Sequence, residues 1–227
     1  MIQDDKKRRA AEHALELVKD NQVIGLGTGS TAKYAIEGIA RCVSEGLSIK
    51  GVPTSVATER MARALRIPLV GLNEVESIDI TFDGADEVDS GFNMIKGGGG
   101  ALTREKLVAL ASIQCVILID EGKLVSNLGQ SRSLPVEVLP FAWAISARNL
   151  SGLGCNPSLR ERDGEPFITD NGNYILDCDF GPIESPAALE SRIKLLPGVI
   201  ESGLFIGVAD TVVIGFEDRV EVKYRAH

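Results

Sequence analysis

From residue 22 to residue 120 the chain alternates short apolar runs with helical segments, and no other feature constrains its fold as much. The first run, Gln22-Val-Ile-Gly-Leu-Gly, passes through Gly27-Thr-Gly-Ser-Thr into a predicted helix over 31–45, with Tyr34, Ile36, Ile39 and Val43 for its buried faces. Residues 48–53 read as a second strand, 55–66 as a helix, 67–70 as a third strand and 78–83 as a fourth. A helix over 102–112 follows, with Leu107, Val108, Leu110 and Ala111 as core candidates, then a strongly apolar strand over 114–119 that ends at Asp120-Glu-Gly-Lys. An amphipathic helix over 4–19 precedes all of this, with Ala10, Ala11, Ala14, Leu15 and Val18 at helical spacing and Asp4 or Asp5 as its cap. Strands alternating with helices imply a Rossmann-like α/β fold, a parallel sheet with helices on both faces. Ligands of such sheets bind beyond the carboxyl ends of the strands.

The character changes near Pro135. From there the order reads strand, helix, strand, strand, helix, strand, with turn signals at Asp163-Gly164 and Asn171-Gly172. A βαββαβ order is the split-βαβ, ferredoxin-like α+β arrangement. The expected organisation is a main domain of residues 1–131 and 207–227 and a smaller domain of residues 132–206. The apolar run at 211–216 is expected to return to the main sheet.

Composition narrows the function. A length of 227 residues suits a main domain with a smaller partner, and 44% hydrophobic residues support an ordinary core. The net charge of −8 argues against nucleic acid as a partner, because neutralising phosphates needs a basic face. Cys42, Cys115, Cys155 and Cys178 form no CxxC pair, so neither a zinc site nor a redox dithiol is expected, and a reducing, cytoplasmic compartment is the simplest reading. The N-terminal residues lack the apolar core of a signal peptide and no segment is long enough to span a bilayer, so a soluble, unprocessed chain without a membrane partner is expected. The two histidines are His13, expected on a helix surface, and His227.

The turn at 27–31 joins a strand to a helix through glycines, the geometry of an anion site. First-turn N–H groups point at the ligand, the helix dipole favours negative charge, and Thr28, Ser30 and Thr31 add hydroxyl donors. The spacing GxGxG fits neither a dinucleotide fingerprint nor a nucleotide P-loop, which leaves a phosphate-sized anion or a tight turn without a ligand.

The stretch DGADEVDSGFNMIKGGGGALTREK at 83–106 concentrates chemistry. Asp83, Asp86 and Asp89 stand three apart; Lys96 precedes four glycines; Glu105 falls near the start of a helix. A glutamate there is favoured as a carboxylate by the dipole, and burial brings it toward the range of a general base. Lysine and glycine-loop N–H groups can stabilise an oxyanion. The aspartates suit sugar hydroxyls; without histidine or further oxygen ligands they do not suggest a metal. A base, an oxyanion stabiliser and a remote phosphate anchor are what aldose–ketose isomerisation requires.

These residues carry a resemblance. GLGTGSTA at 25–32, DGADEVD at 83–89, KGGGGALTREK at 96–106 and LPVEVLP at 134–140 resemble ribose-5-phosphate isomerase, type A, as do TDNGNYILD at 169–177 and LPGVIESGLF at 196–205. The resemblance implies interconversion of ribose 5-phosphate and ribulose 5-phosphate in the pentose phosphate pathway, with no metal and no organic cofactor. It places the general base on Glu105. It places substrate contacts on Thr28, Gly29, Ser30 and Thr31, on Asp83, Gly84, Ala85 and Asp86, on Lys96, Gly97, Gly98 and Gly99, and on Lys123. It implies a homodimer or homotetramer. Two other classes remain to be weighed. A non-catalytic sugar-phosphate-sensing domain would keep the anion turn without needing Glu105 or Lys96, and a related acyl or CoA transferase would use a glutamate as nucleophile. Only an isomerase predicts turnover of a pentose phosphate without added cofactor.

Overall fold

The computed structural model describes residues 2–225; His227 lies outside them. In chain order the elements of the first half are α1 (Ile2–Ala14), β1 (Val23–Leu26), α2 (Ser30–Ser44), β2 (Lys50–Pro53), α3 (Val56–Ala64), β3 (Ile78–Asp83), β4 (Glu87–Val88), β5 (Met94–Ile95), α4 (Leu102–Leu110) and β6 (Ser112–Asp120). The second half holds β7 (Leu134–Val138), α5 (Trp143–Ser151), β8 (Asn156–Leu159), β9 (Glu161–Arg162), β10 (Glu165–Pro166), β11 (Tyr174–Asp179), α6 (Pro186–Lys194), β12 (Val199–Ser202), β13 (Leu204–Phe205), β14 (Thr211–Gly215) and β15 (Val220–Tyr224). The chain divides into two compact units. The first comprises the residues up to Ala85, Arg104–Lys123 and the residues from Val208 on; the second comprises Asp86–Thr103 and Leu124–Gly207.

The first unit is built on a six-stranded sheet in the order β15-β14-β6-β3-β1-β2. All neighbours are parallel except β15, which closes the edge antiparallel to β14. One face carries Ile24, Leu26, Ile80, Phe82, Val116 and Leu118 against Ala10, Ala11 and Ala14 of α1 and Ala35, Ile36 and Ile39 of α2. Small residues on α1 let it lie close to the sheet. On the other face Val52 packs with Val108 of α4, and Ile78 at the start of β3 joins the same cluster. There Gly25 is required by space, because a Cβ would stand 1.8 Å from Thr81 Oγ1 and 2.8 Å from Val108 Cγ1.

Two expectations for this unit fail, each for a physical reason. Residues 67–70 form no strand: Leu69 makes a single bridge to Gly51, flanked by Gly51 N–H to Pro68 O and Val70 N–H to Gly51 O. Pro68 has no N–H with which to extend a ladder. Leu107 and Leu110 are exposed, at 53% and 66%. The buried residues of α4 are Leu102, Glu105, Lys106, Val108 and Ala109: Val108 is in the core as expected, and two charged residues share the inward stripe.

The second unit holds a four-stranded antiparallel sheet in the order β12-β7-β11-β8, with α5 after β7 and α6 after β11. This is the ferredoxin-like pattern expected from the element order. Its core joins Leu134, Val136 and Val138 of β7 to Leu176 and Cys178 of β11, Leu150 of α5 and Leu189 and Ile193 of α6. Asp163 (φ 56°) and Gly164 (φ 82°) both take left-handed conformations, the two-residue turn that pairs β9 with β10. A three-stranded sheet, β13-β5-β4, completes the unit. No helix among the described residues is long and apolar enough to cross a membrane, and none of Cys42, Cys115, Cys155 and Cys178 is in a disulfide.

Candidate active site

In the first unit the chemistry gathers where parallel strands end. β1 and β3 are neighbours with Leu26 opposite Phe82, so the turn after β1 and Asp83 at the end of β3 emerge side by side. Asp83 is 2% exposed, and its Oδ1 accepts the N–H groups of Thr28 (3.1 Å) and Gly84 (2.8 Å). Gly27 makes this approach possible: a Cβ there would stand 2.3 Å from Asp83 Oδ1 and 2.6 Å from Asp83 Cα. Gly29, at φ 117°, caps α2 in a conformation that side chains rarely adopt. The N–H groups of Ser30, Thr31 and Ala32 open the helix ahead of its first intrahelical bond, Lys33 N–H to Gly29 O, which is the anion-binding arrangement. Thr31 is buried and Ser30 exposed.

Thr28 serves the turn through its side chain. Its hydroxyl lies 2.7 Å from Thr54 Oγ1, 2.8 Å from Ser55 Oγ and 3.1 Å from Thr58 Oγ1. Thr58 Oγ1 in turn donates to Gly27 O, and Ser55 caps α3 by accepting Thr58 N–H at 3.0 Å. A hydroxyl cluster therefore sets the shape of the turn.

One cation at this turn escaped the sequence reading. Lys7 of α1 donates from Nζ to Ser30 Oγ at 3.0 Å. Its neighbour Lys6 bonds Glu121 Oε1 at 2.7 Å, just beyond β6, and that bond holds the Glu121 carboxyl below the usual carboxylate range. The only signal in the sequence was a run of basic residues on an amphipathic helix, which reads as a solvated face. Lys123, half-buried, ends the 3₁₀ turn Glu121–Lys123 that follows β6. Glu105 lies in the first turn of α4 and is 4% exposed. Gly84 and Ala85 are half-buried, and Gly84 lies against Thr31.

A cavity of about 560 Å³ in this unit is lined by Val52, Leu69, Leu72, Arg104, Leu107 and Val108, among others. None of Thr28, Ser30, Thr31, Asp83, Glu105 or Lys123 lines it. Thr28, Ser30, Thr31, Asp83 and Lys123 stand at or beyond strand ends, and Glu105 in the first turn of α4, all outside this hollow.

The second unit contributes Asp86, Lys96 and the glycine loop. Asp86 Oδ2 accepts the N–H of Gly98 at 2.7 Å. Lys96 is buried at 3% exposure, with its Nζ 5.4 Å from the centre of the Phe205 ring and its backbone N–H on Gly203 O. Gly97 and Gly98 present their carbonyls to one side chain, since Arg160 Nη1 donates to Gly97 O at 2.8 Å and Gly98 O at 3.2 Å. Gly99 is exposed. Asp89, third of the spaced aspartates, is occupied otherwise: it accepts the N–H groups of Gly91 and Asn93 and shapes the β4–β5 turn.

A second feature missed in the sequence is Glu137 in β7, with no exposed surface. Its carboxylate accepts from Thr103 Oγ1, Thr169 Oγ1 (2.9 Å), Asn171 Nδ2 (3.2 Å) and Asn173 Nδ2 (2.8 Å). The runs LPVEVLP, TDNGN and ALTREK, far apart in the chain, are thus one hydrogen-bonded unit. Among the described residues no group of three or more His, Cys, Asp or Glu is arranged to hold a metal ion.

Comparison with known proteins points to one family. Residues 50–219 match the family model of ribose 5-phosphate isomerase A (phosphoriboisomerase A). The chain is similar to ribose-5-phosphate isomerase A of Gloeobacter violaceus, 51% identical over 96% of both chains. It is also similar to the Bacillus mycoides protein of the same name, 46% identical over 95% of this chain and 97% of that one. Among solved structures, a D-ribose-5-phosphate isomerase in complex with phospho-erythronic acid superimposes with a TM-score of 0.96 at 41% identity, covering 99% of this chain and 100% of that one. Ribose 5-phosphate isomerase A of Methanocaldococcus jannaschii superimposes at 0.93 with 42% identity, over 97% and 98% of the two chains.

Proposed function

Because the chain belongs to the ribose 5-phosphate isomerase A family, we propose that Glu105 is the general base of its reaction, with the substrate held by Asp83, Asp86, Lys96, Lys123 and the two glycine-rich turns. The protein is an isomerase that interconverts D-ribose 5-phosphate and D-ribulose 5-phosphate. In the open-chain aldose Glu105 removes the proton from C2, giving an enediolate, and returns it to C1. The C2 hydroxyl proton is lost as the O1 proton is gained, so no atom enters or leaves. The observation that carries this reading is the position of Glu105. It occupies the inward stripe of α4 at 4% exposure, where packing alone would place a leucine, while Leu107 and Leu110 face outward.

The other roles follow from charge and donor geometry. The N–H groups at the start of α2, the Ser30 and Thr31 hydroxyls and Lys7 anchor the phosphate, and the binding energy of that remote group positions C1 and C2. Asp83 and Asp86 take the sugar hydroxyls. Lys96 and the backbone N–H groups of Gly97 and Gly99 stabilise the negative oxygen of the enediolate, the Gly98 N–H being held by Asp86. Lys123 supplies a further cation to the substrate. The reaction draws on no metal or organic cofactor in this scheme. The protein acts in the cytoplasm, in the pentose phosphate pathway, as a homodimer or homotetramer.

The test is conversion of ribose 5-phosphate by the purified protein in excess EDTA, with Glu105→Gln alongside. The wild type turns over, and the variant binds substrate but loses at least ~100-fold in kcat, the scale of a lost general base. Turnover by Glu105→Gln close to the wild type would remove Glu105 from this role.

A further inference from the structure

We propose that Arg160, a residue of the β8–β9 connection, is a positioning residue of the isomerase: it fixes the peptide joining Gly97 to Gly98 and, through that peptide, holds Asp86. The inference rests on the functional reading above. The Arg160 fork is committed on one side to Asp177 of β11, with Nε on Oδ2 at 2.9 Å and Nη2 on Oδ1 at 2.5 Å. The remaining nitrogen, Nη1, binds the carbonyls of Gly97 and Gly98. The Arg160 side chain is 16% exposed, and its backbone is tied at both ends. Arg160 N–H donates to Ile175 O, and Arg160 O accepts Phe167 N–H, both at 2.8 Å.

A trans peptide points its C=O and N–H in opposite directions. The carbonyl of Gly97 belongs to the same peptide plane as the N–H of Gly98. Arg160 holds the first and Asp86 Oδ2, at 2.7 Å, holds the second. A cation at the oxygen end and an anion at the hydrogen end polarise one amide in the same sense, which strengthens both bonds. The next peptide repeats the orientation: Gly98 O also faces Arg160, so Gly99 N–H is turned to the side of Asp86. Without Arg160 the Gly98 carbonyl would have to find another donor and the Gly97 carbonyl would keep only the Gly100 N–H, and a glycine run resists reorientation less than any other backbone. Phe167 backs the same loop, since a Cβ on Gly100 would stand 2.4 Å from its ring. Gly98 must also lack a side chain, because a Cβ there would meet Asp86 Oδ1 at 2.8 Å. The arrangement is thus a line, Asp177 to Arg160 to the loop peptide to Asp86, in which only the last member is proposed to touch substrate.

The experiment compares Arg160→Gln, Arg160→Lys and Asp86→Asn with the double variant Arg160→Gln/Asp86→Asn, measuring kcat, KM and the thermal midpoint, with all kinetics well below unfolding. Arg160→Gln should lose ~10- to 100-fold in kcat, the usual effect of misplacing a site from behind. Arg160→Lys keeps the charge but not the fork and should remain at least ~5-fold impaired. In the double variant the Arg160 effect should shrink to ~3-fold or less, because its target is already disabled. Wild-type kcat in Arg160→Gln with only a lowered midpoint would overturn the proposal, and so would an Arg160 effect that multiplies fully with that of Asp86→Asn. If Arg160→Gln does not fold, Arg160→Lys alone and paired with Asp86→Asn supports or overturns the proposal by the same two comparisons. Wild-type turnover with a failing Glu105→Gln establishes the functional reading independently, so failure of the Arg160 line is distinguishable from failure of that reading.

Discussion

Both glycine-rich turns proposed to serve the chemistry have a backbone N–H held by an aspartate, Thr28 on Asp83 and Gly98 on Asp86, yet they are shaped by opposite means. The turn after β1 is shaped mostly by what lies at neighbouring strand ends: Asp83 under the Thr28 and Gly84 N–H groups, and the hydroxyls of Thr54, Ser55 and Thr58 around Thr28. The loop at 97–100 has one internal backbone hydrogen bond, Gly100 N–H to Gly97 O. It takes its form from the antiparallel sheet of its unit, through Arg160 on two carbonyls and Phe167 against Gly100. A parallel sheet exposes its strand ends together and so builds a ligand turn from adjacent residues. A flexible glycine run has to be held by side chains that arrive from elsewhere in the sequence.

The largest test of this contrast is a methyl group. Gly27→Ala places Cβ 2.6 Å from a backbone atom of β3, which cannot step aside. We expect a loss of about 3 kcal/mol or more in stability, at the upper end of overpacking effects, and at least ~100-fold in activity. Gly98→Ala meets only a carboxylate, which can move. It should melt within about 1 kcal/mol of the wild type while still losing activity, because the group displaced is Asp86. Urea unfolding and kcat measured on both variants decide the point. Equal stability losses would mean that the two turns are held alike.

Glu137 sharpens the contrast from the second unit. Its carboxylate is fully buried and gathers Thr103, Thr169, Asn171 and Asn173. Glu137→Ala strands those donors in a dry interior and should cost about 3 kcal/mol or more in stability. Glu137→Gln, which keeps one accepting oxygen, should recover part of it. A melt unchanged by Glu137→Ala would show that water replaces the carboxylate and that the sheet does not depend on it.

What could be read from the sequence follows the same division. The parallel strands were legible because buried strands are continuous apolar runs, and the turn at 27–31 because glycines and hydroxyls stand together. The βαββαβ order of the second unit was legible from its turn signals. Leu107 and Leu110 misled because hydrophobicity was taken for burial, whereas α4 turns Glu105 and Lys106 inward. A site that needs a buried carboxylate breaks the pattern that predicts cores. Residues 67–70 misled because one proline sits in an otherwise strand-like run. Glu137 and Arg160 carried no local signal at all: each is a polar residue in or beside a strand, and its meaning lies in partners that only folding brings near.

Lys7 is the exception on the first side of the comparison, and the smallest effect expected. It reaches the turn from α1, 23 residues earlier in the chain, and donates to Ser30 Oγ. If the turn needs only its local hydroxyls and helix N–H groups to hold phosphate, Lys7→Ala will change nothing. We expect instead that KM for ribose 5-phosphate rises ~10-fold, the worth of one charge-assisted hydrogen bond of about 1.4 kcal/mol. The value of kcat should stay within ~2-fold, since the phosphate lies remote from the proton transfer. The difference from the wild type should narrow as salt is raised, because a partly exposed ion pair is screened. A KM unchanged at low salt would make the turn a wholly local device, whereas a fall in kcat at constant KM would mean that Lys7 positions the reacting carbons as well as the phosphate.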